Sequence, residues 1–157
     1  ALGVPLYMQL STIKKQLTPI LLSELAGCVV GIISVVYIAK EMGASKEVVL
    51  SLASKSVTTP IAMEVTKALG GIPSLTAAVV VGVGLLCAVC GYRTMGFARV
   101  KSPVAQGLSM GTAAHALGTA TSMDKSQLHG AYASLGLTIN GIFTSLLTPV
   151  IIPLLGV

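Results

Sequence analysis

The sequence predicts an all-α polytopic membrane protein, and three observations support this. Of its 157 residues, 54% are hydrophobic and only 10% are charged, whereas an ordinary soluble domain has about 25% charged residues. Mean hydropathy is +0.89, and apolar runs long enough to cross a bilayer recur along the whole chain. We therefore expect one multi-pass transmembrane domain over residues 1–157. It should have about five membrane segments, two of them interrupted (broken or re-entrant) helices.

Residue types that commonly begin helices divide the chain into five apolar segments, at about 18–39, 47–69, 74–98, 103–122 and 126–155. Thr18-Pro19 and Ser102-Pro103 each place a capping hydroxyl before a proline at the first helical position. The other expected caps are Ser45, Ser74 and Asp124. Because the connections are short, we expect no second, soluble domain.

Two of these segments, 18–39 and 74–98, are expected to be ordinary membrane spans. In 18–39, we expect Glu24 to reach the headgroups as a surface carboxylate, with an intramembrane site as the alternative. Gly27-x-x-x-Gly31 offers a small face for helix packing. Segment 74–98 is uniformly apolar. Segment 126–155 is too long for one straight crossing and contains Asn140, Pro149 and Pro153, so we expect a bend or a break there.

Segment 47–69 is unusual because it contains a lysine. If it were one regular helix, six residues would share a sector about 100° wide, namely Ser51, Lys55, Thr58, Thr59, Ala62 and Thr66. A lysine in mid-span costs about 2.5–3.5 kcal/mol unless it faces water or an anion. No acidic residue shares this sector, so an anionic ligand would supply the missing counter-ion.

Pro60 follows this lysine and cannot donate to the carbonyl of Ser56, so the helix should open beside Lys55. Backbone groups freed by a broken helix add polar contacts at membrane depth, as in many secondary transporters. The alternative is that the segment does not span, so that Lys55 extends to the interface from a re-entrant or interfacial helix.

Segment 103–122 has two stripes, one of small residues (Gly107, Gly111 and Gly118) and one of polar residues (Thr112, His115 and Thr119). His115 either couples protons or simply bonds to a neighbouring hydroxyl. Segments 47–69 and 103–122 each follow an ordinary span at similar spacing, which indicates an internal repeat of about 57 residues.

The sequence contains no pattern typical of an enzyme, a metal site or a nucleic-acid-binding protein. Its two histidines and scattered cysteines lack metal-ligand spacing, and no catalytic Ser-His-acid set or phosphate-binding loop is present. The excess of basic residues (10 against 5 acidic) is scattered over short connections, which suits a lipid bilayer better than nucleic acid. We expect no enzymatic activity, no cofactor and no nucleic-acid partner.

Four stretches resemble the LrgB (CidB/LrgB-like) membrane family in order and spacing: "KSVTTPIAMEV", "GGIPSLTAAVVVGVG", "KSPVAQGLSMGTAAHALGTA" and "GAYASLGLTINGIFTSLLTPVIIPLL". The family includes the plastid glycolate/glycerate transporter, and its bacterial members are described as antiholin-like modulators of murein hydrolase activity. The resemblance therefore implies a bacterial cytoplasmic (inner) membrane protein, a homo-oligomer, and an LrgA/CidA-type small membrane protein as partner. It also implies that the chain is the C-terminal part of a longer protein, and "ALGVPLYMQL" reads like the end of an earlier apolar segment.

The main functional hypothesis is a transporter or facilitator for small 2-hydroxy carboxylates such as glycolate, with the carboxylate paired to Lys55 beside the helix break at Pro60. The residues expected to orient this substrate are Ser56, Thr58, Thr59, Thr112, His115, Thr119 and Asn140. The alternative is an antiholin-like regulator of cell lysis that works through helix packing. Two positions depart from the common family pattern: Thr121 stands where relatives often have a basic residue, and His129 where they often have an acidic one.

Overall fold

The structure, a computed structural model, describes Tyr7 and residues 9–157. Except for Tyr7, the opening "ALGVPLY" therefore lies outside the described residues. The helices are α1 (Leu10–Lys15), α2 (Leu17–Glu41), α3 (Lys46–Ala53), α4 (Thr59–Leu69), α5 (Pro73–Phe97), α6 (Pro103–Lys125) and α7 (Gln127–Leu154). Helices α2, α5 and α7 are long and apolar enough to cross a membrane. Together with the two interrupted segments between them, they confirm the predicted fold class.

Helices α3 and α4 form a re-entrant hairpin, which we call the first hairpin (residues 46–69). Residues 54–58 between the two helices are not helical, and they form its tip. The Ser54 hydroxyl donates to the carbonyl of Ala62 at 3.1 Å, and the N–H of Ile72 donates to the Ser51 hydroxyl at 2.7 Å. In one continuous helix, Ser51 and Ile72 would lie about 30 Å apart. The chain therefore doubles back on itself.

Four fully buried hydroxyl residues join the arms of the first hairpin to α5: Ser51, Ser54, Thr66 and Thr76. The Thr76 hydroxyl lies 2.9 Å from both the Thr66 hydroxyl and the Ser51 carbonyl, and Ser54 bonds to Thr66 at 3.1 Å. Ser51 and Thr66 would share a polar stripe with Lys55 only in one regular helix. Because the chain is interrupted at residues 54–58, as expected, both hydroxyls instead hold the hairpin together.

Helix α6 is also a hairpin, which we call the second hairpin (residues 103–125). Its tip is His115, whose φ of 43° and ψ of −127° interrupt the helix. Near the two ends, the Lys125 ammonium donates to the Gln106 side chain at 3.3 Å, whereas a straight helix would separate these residues by about 28 Å. Gly118 packs directly against the carbonyl of Met110, so the returning arm starts close to the entering one.

The two hairpins enter the bundle from opposite ends. Helices α2 and α7 run parallel, because Lys40 donates to the carbonyl of Leu155 at 2.9 Å near their C-terminal ends. At the other end, the Tyr132 hydroxyl donates to Gln16 at 3.4 Å. Helix α5 runs the opposite way, since its start meets the first hairpin and Tyr92 near its end donates to Ser122 of the second hairpin at 2.8 Å.

The order of span and hairpin therefore occurs twice. Helices α2 and α5 begin at residues 17 and 73, and the two hairpins begin at residues 46 and 103. These offsets agree with the predicted repeat of about 57 residues. Because one crossing, α5, separates the hairpins, the two copies have inverted orientation, an arrangement common in secondary transporters.

The helix starts agree only in part with the expected caps. Ser45 and Ser102 are the N-caps of α3 and α6, and the Ser102 hydroxyl accepts from the N–H of Ala105. The expectations for Thr18, Ser74 and Asp124 are wrong, since each lies inside a helix. Helix α7 is capped instead by Ser126, whose hydroxyl accepts from the N–H of His129 at 3.2 Å.

Helix α7 continues unbroken from Gln127 to Leu154 with Pro149 and Pro153 inside it, so the chain is not broken at Asn140 or at either proline. A packed membrane helix tolerates interior prolines because neighbouring groups can satisfy the freed carbonyls. The small stripe of the second hairpin lies against this helix. A Cβ atom at Gly107 would lie 2.6 Å from the carbonyl of His129, and one at Gly111 would collide with the backbone of α7. Only glycine allows this close approach.

Candidate functional site

A cavity of about 640 Å³ lies between α2, α7, the tip of the first hairpin and the entering arm of the second. It extends from Gln16 and Ser102, the residues just before α2 and the second hairpin, to Lys55 and Ser56 at the tip of the first hairpin. Since the two hairpins enter from opposite ends, the residues that line the cavity run from one end of the bundle to the tip of the opposite hairpin. Its volume is in the usual range for small-molecule sites.

Lys55 lies at the inner end of this cavity. Its side chain is half-buried, and its ammonium donates to the Ser56 hydroxyl at 3.1 Å. Among the described residues, no carboxylate forms an ion pair with it. A partly buried ammonium with one neutral partner retains donors for an anion in the cavity.

Asn140 joins the first hairpin to the second. Its amide nitrogen donates to the carbonyl of Ser56 at 2.8 Å and to the carbonyl of Thr112 at 3.0 Å. Both carbonyls lie at or near helix interruptions, where the regular backbone ladder is incomplete. The side chain is 2% exposed. Asn140 thus sits within the continuous α7 and satisfies backbone groups from both hairpins.

Glu24 lies in the same cavity, and its position contradicts the expectation of a surface carboxylate. It is 3% exposed, and each of its oxygens lies 2.7 Å from the Thr112 hydroxyl. The missed signal is the row of small and polar residues on one side of α2, which lines the cavity together with Gln16 at the start of that helix: Ser23, Glu24, Gly27, Cys28 and Gly31. Gly27 and Gly31 leave space in the cavity, and a Cβ atom at Gly31 would meet nothing within 4 Å.

His115 faces α5 and does not line the cavity. Its Nε2 atom donates to the carbonyl of Val80 at 3.0 Å, and Gly84 provides the room for the ring, since a Cβ atom there would lie 2.7 Å from it. A φ of 43° is unusual for a residue with a side chain and costs about 1–3 kcal/mol. The Thr119 hydroxyl donates to the His115 carbonyl at 2.8 Å, which supports this strained tip.

The structure brings together four of the predicted site residues, namely Lys55, Ser56, Thr112 and Asn140. Thr58 borders a separate groove against α7. Thr59 begins α4, with Pro60 in the first turn of that helix, so the chain is already broken before Pro60. The predicted roles of Thr58, Thr59, His115 and Thr119 in binding stay predictions, and they would have to be exerted from outside this cavity.

The two departures from the family pattern lie on the second hairpin's returning arm and at the start of α7. The Thr121 hydroxyl donates to the carbonyl of Leu117 at 3.0 Å. The His129 ring lies 2.7 Å from the Ser126 hydroxyl and 3.1 Å from the Gln106 side chain. Neither residue lines the cavity, so both belong to the end of the bundle rather than to the candidate site.

Comparison with known proteins identifies relatives over nearly the whole chain. The sequence profile of the LrgB-like family matches residues 1–154. A Haemophilus influenzae protein described as uncharacterized is 39% identical over 99% of this chain and 67% of its own length. Antiholin-like LrgB proteins of Bacillus cereus and Bacillus anthracis are each 33% identical over 99% of this chain and 68% of theirs. No solved structure matches.

Proposed function

Because this chain belongs to the LrgB-like family, we propose that it is a non-enzymatic, antiholin-like protein of the bacterial inner membrane. In this role it restrains murein hydrolase activity and cell lysis together with an LrgA/CidA-type small membrane protein. The observation that carries the proposal is the similarity to Bacillus proteins named antiholin-like LrgB.

A lysis assay tests this role. The full-length protein is expressed with and without an LrgA-type partner in a strain lacking its own copies of both. Release of a cytoplasmic enzyme and murein hydrolase activity are then measured. Both should fall when the protein and its partner are present together. Unchanged lysis in every combination would rule out the antiholin-like role.

A second candidate function is transport of small 2-hydroxy carboxylates such as glycolate. The observation that favours it is the cavity lined by residues from one end of the bundle to the tip of the first hairpin, with Lys55 among them. A carboxylate cannot enter hydrocarbon unless its charge is met, and Lys55 is an ammonium with no carboxylate partner among the described residues. The hydroxyls of Ser56 and Thr112 line the same cavity and can each accept a hydrogen bond from a substrate hydroxyl.

Uptake of labelled glycolate into proteoliposomes of the full-length protein tests the transport role. Lys55→Ala should reduce uptake at least about tenfold, because an ion pair with a desolvated carboxylate is lost. Lys67→Ala is the matched control, since Lys67 is exposed on the last turn of α4, and it should transport normally. Undiminished uptake by Lys55→Ala would remove Lys55 from the site.

The same variant separates the two candidates. If the protein restrains lysis only through packing against a partner, Lys55→Ala should remain fully active in the lysis assay. If lysis control depends on anion movement, it should fail there as well as in uptake.

A further inference from the structure

Glu24 is a carboxylate whose partner is a hydroxyl, in a place where an ionised group is costly. It is 3% exposed within the span α2, and its recorded hydrogen-bond partner is Thr112 of the second hairpin. Gly136 of α7 leaves room beside it, because a Cβ atom there would lie 3.1 Å from the Glu24 carboxylate. Desolvation disfavours a buried carboxylate unless a cation or several donors meet its charge. In the part of the chain that the structure describes, the Glu24 carboxylate has neither, because its partner is the single hydroxyl of Thr112.

The Thr112 hydroxyl can satisfy Glu24 in both protonation states. It lies 2.7 Å from each carboxylate oxygen and 2.8 Å from the carbonyl of Leu108. When Glu24 is ionised, the hydroxyl proton points to the carboxylate. When Glu24 is protonated, its own O–H donates to the Thr112 oxygen, and the Thr112 proton turns to Leu108. No buried group loses its partner when the proton arrives or leaves.

The other titratable side chains among the described residues that line this cavity are Lys55 and Cys28. Cys28 is on α2 one turn from Glu24, and its sulfur lies 3.4 Å from the Thr144 hydroxyl of α7. Lys55 comes from the opposite hairpin. With Glu24 ionised and Lys55 protonated, the cavity has no net charge. An anion at Lys55 would leave the cavity with one negative charge beside the buried Glu24, and a proton on Glu24 would restore neutrality.

We propose that Glu24 and Thr112 form a proton-binding site, so that a carboxylate bound at Lys55 is accompanied by one proton on Glu24. This inference rests on the transport role proposed above. The anion then binds at the first hairpin, and the proton binds between α2 and the second hairpin. Asn140 connects the two places, because it bonds to the carbonyls of both Ser56 and Thr112.

The test compares two transport modes in proteoliposomes, using the full-length protein and labelled glycolate. Counterflow exchanges glycolate for glycolate and needs no net proton movement. Net uptake driven by a pH gradient does need it. With a gradient of about one pH unit, acidic outside, one proton per anion gives about tenfold accumulation in wild type above protein-free vesicles.

Glu24→Gln imitates the protonated carboxyl and cannot release a proton. It should retain counterflow but show no accumulation beyond equilibration. Thr112→Ser, which keeps the hydroxyl, should accumulate like wild type, whereas Thr112→Val should lose most accumulation. Normal counterflow with full accumulation by Glu24→Gln would overturn this inference and leave the transport role intact. Absence of counterflow in wild type would overturn both.

A measurement without any variant covers the case in which Glu24→Gln does not fold. Glycolate is added to purified wild-type protein in a weakly buffered detergent solution, and the pH change is recorded. We expect uptake of about one proton per bound glycolate, because the anion adds a negative charge to the cavity that a proton on the buried Glu24 neutralises. Glycolate binding without proton uptake would overturn the proposal.

Discussion

Replacing Asn140 by leucine tests the connection between the two hairpins. Asn140 donates at 2.8 Å to the Ser56 carbonyl and at 3.0 Å to the Thr112 carbonyl, and leucine has the same branched shape and number of side-chain heavy atoms but no donor. Hydrogen bonds between membrane helices are worth on average about 0.6 kcal/mol and at most about 1.7 kcal/mol. Loss of both bonds should therefore lower the free energy of unfolding by about 1–3 kcal/mol. The upper part of this range applies if water from the cavity does not reach the freed carbonyls.

The assay is reversible unfolding of the full-length protein in mixed micelles with increasing denaturing detergent, followed by circular dichroism. Thr138→Val is the matched control on the same helix, because the Thr138 hydroxyl bonds only to the Ser134 carbonyl, one turn away. It should change stability by less than about 0.5 kcal/mol. If Asn140→Leu lowers the free energy of unfolding by no more than this control does, the two hairpins are not held together through Asn140.

Three further predictions concern the fold. With the three native cysteines replaced, cysteines at Gln106 and Lys125 should be joined by a flexible bis-maleimide that spans about 10 Å, because the native side chains meet at 3.3 Å, whereas a straight helix would hold them about 28 Å apart. No cross-linking by this reagent would contradict the second hairpin. Gly111→Ala should cost about 1–3 kcal/mol of unfolding free energy because its Cβ would collide with α7, while Gly82→Ala, with nothing within 4 Å, should be neutral in the same titration. Thr76→Val should cost about 1–3 kcal/mol by leaving its buried partners in the first hairpin unsatisfied, and an unchanged midpoint would contradict that role.

Much of the candidate site could be predicted from residue types alone. Lys55 beside hydroxyls and Pro60 identified an interrupted membrane segment, because a lysine and a proline are both costly in a regular span. The structure shows the interruption and places Lys55 and Ser56 in the cavity. Thr112 and Asn140 were also named as candidates and lie there. The partners of each side chain could not be predicted, since a stripe on one helix does not reveal which element packs against it.

Glu24 shows this limit most clearly. Its position near the start of an apolar segment suggested contact with the headgroups, since a carboxylate there can reach water. Its hydrogen-bond partner Thr112 is 88 residues away in the sequence, and only the packing of the second hairpin between α2 and α7 buries the pair. Likewise, His115 was grouped with Thr112 on one helical stripe, but the interruption at His115 itself turns its ring toward Val80.

The sequence by itself determined that this is a helical membrane protein of the LrgB-like family, with two interrupted segments that repeat at about 57 residues. Length, hydropathy and the cost of placing lysine and proline in lipid are local properties, so they can be read residue by residue. Only the tertiary structure decided that the chain doubles back at each interruption and that the hairpins enter from opposite ends. An interruption in a helix does not by itself determine whether the chain continues across the membrane or turns back. That direction is set by contacts between distant elements, such as Lys125 with Gln106 and Asn140 with both hairpins.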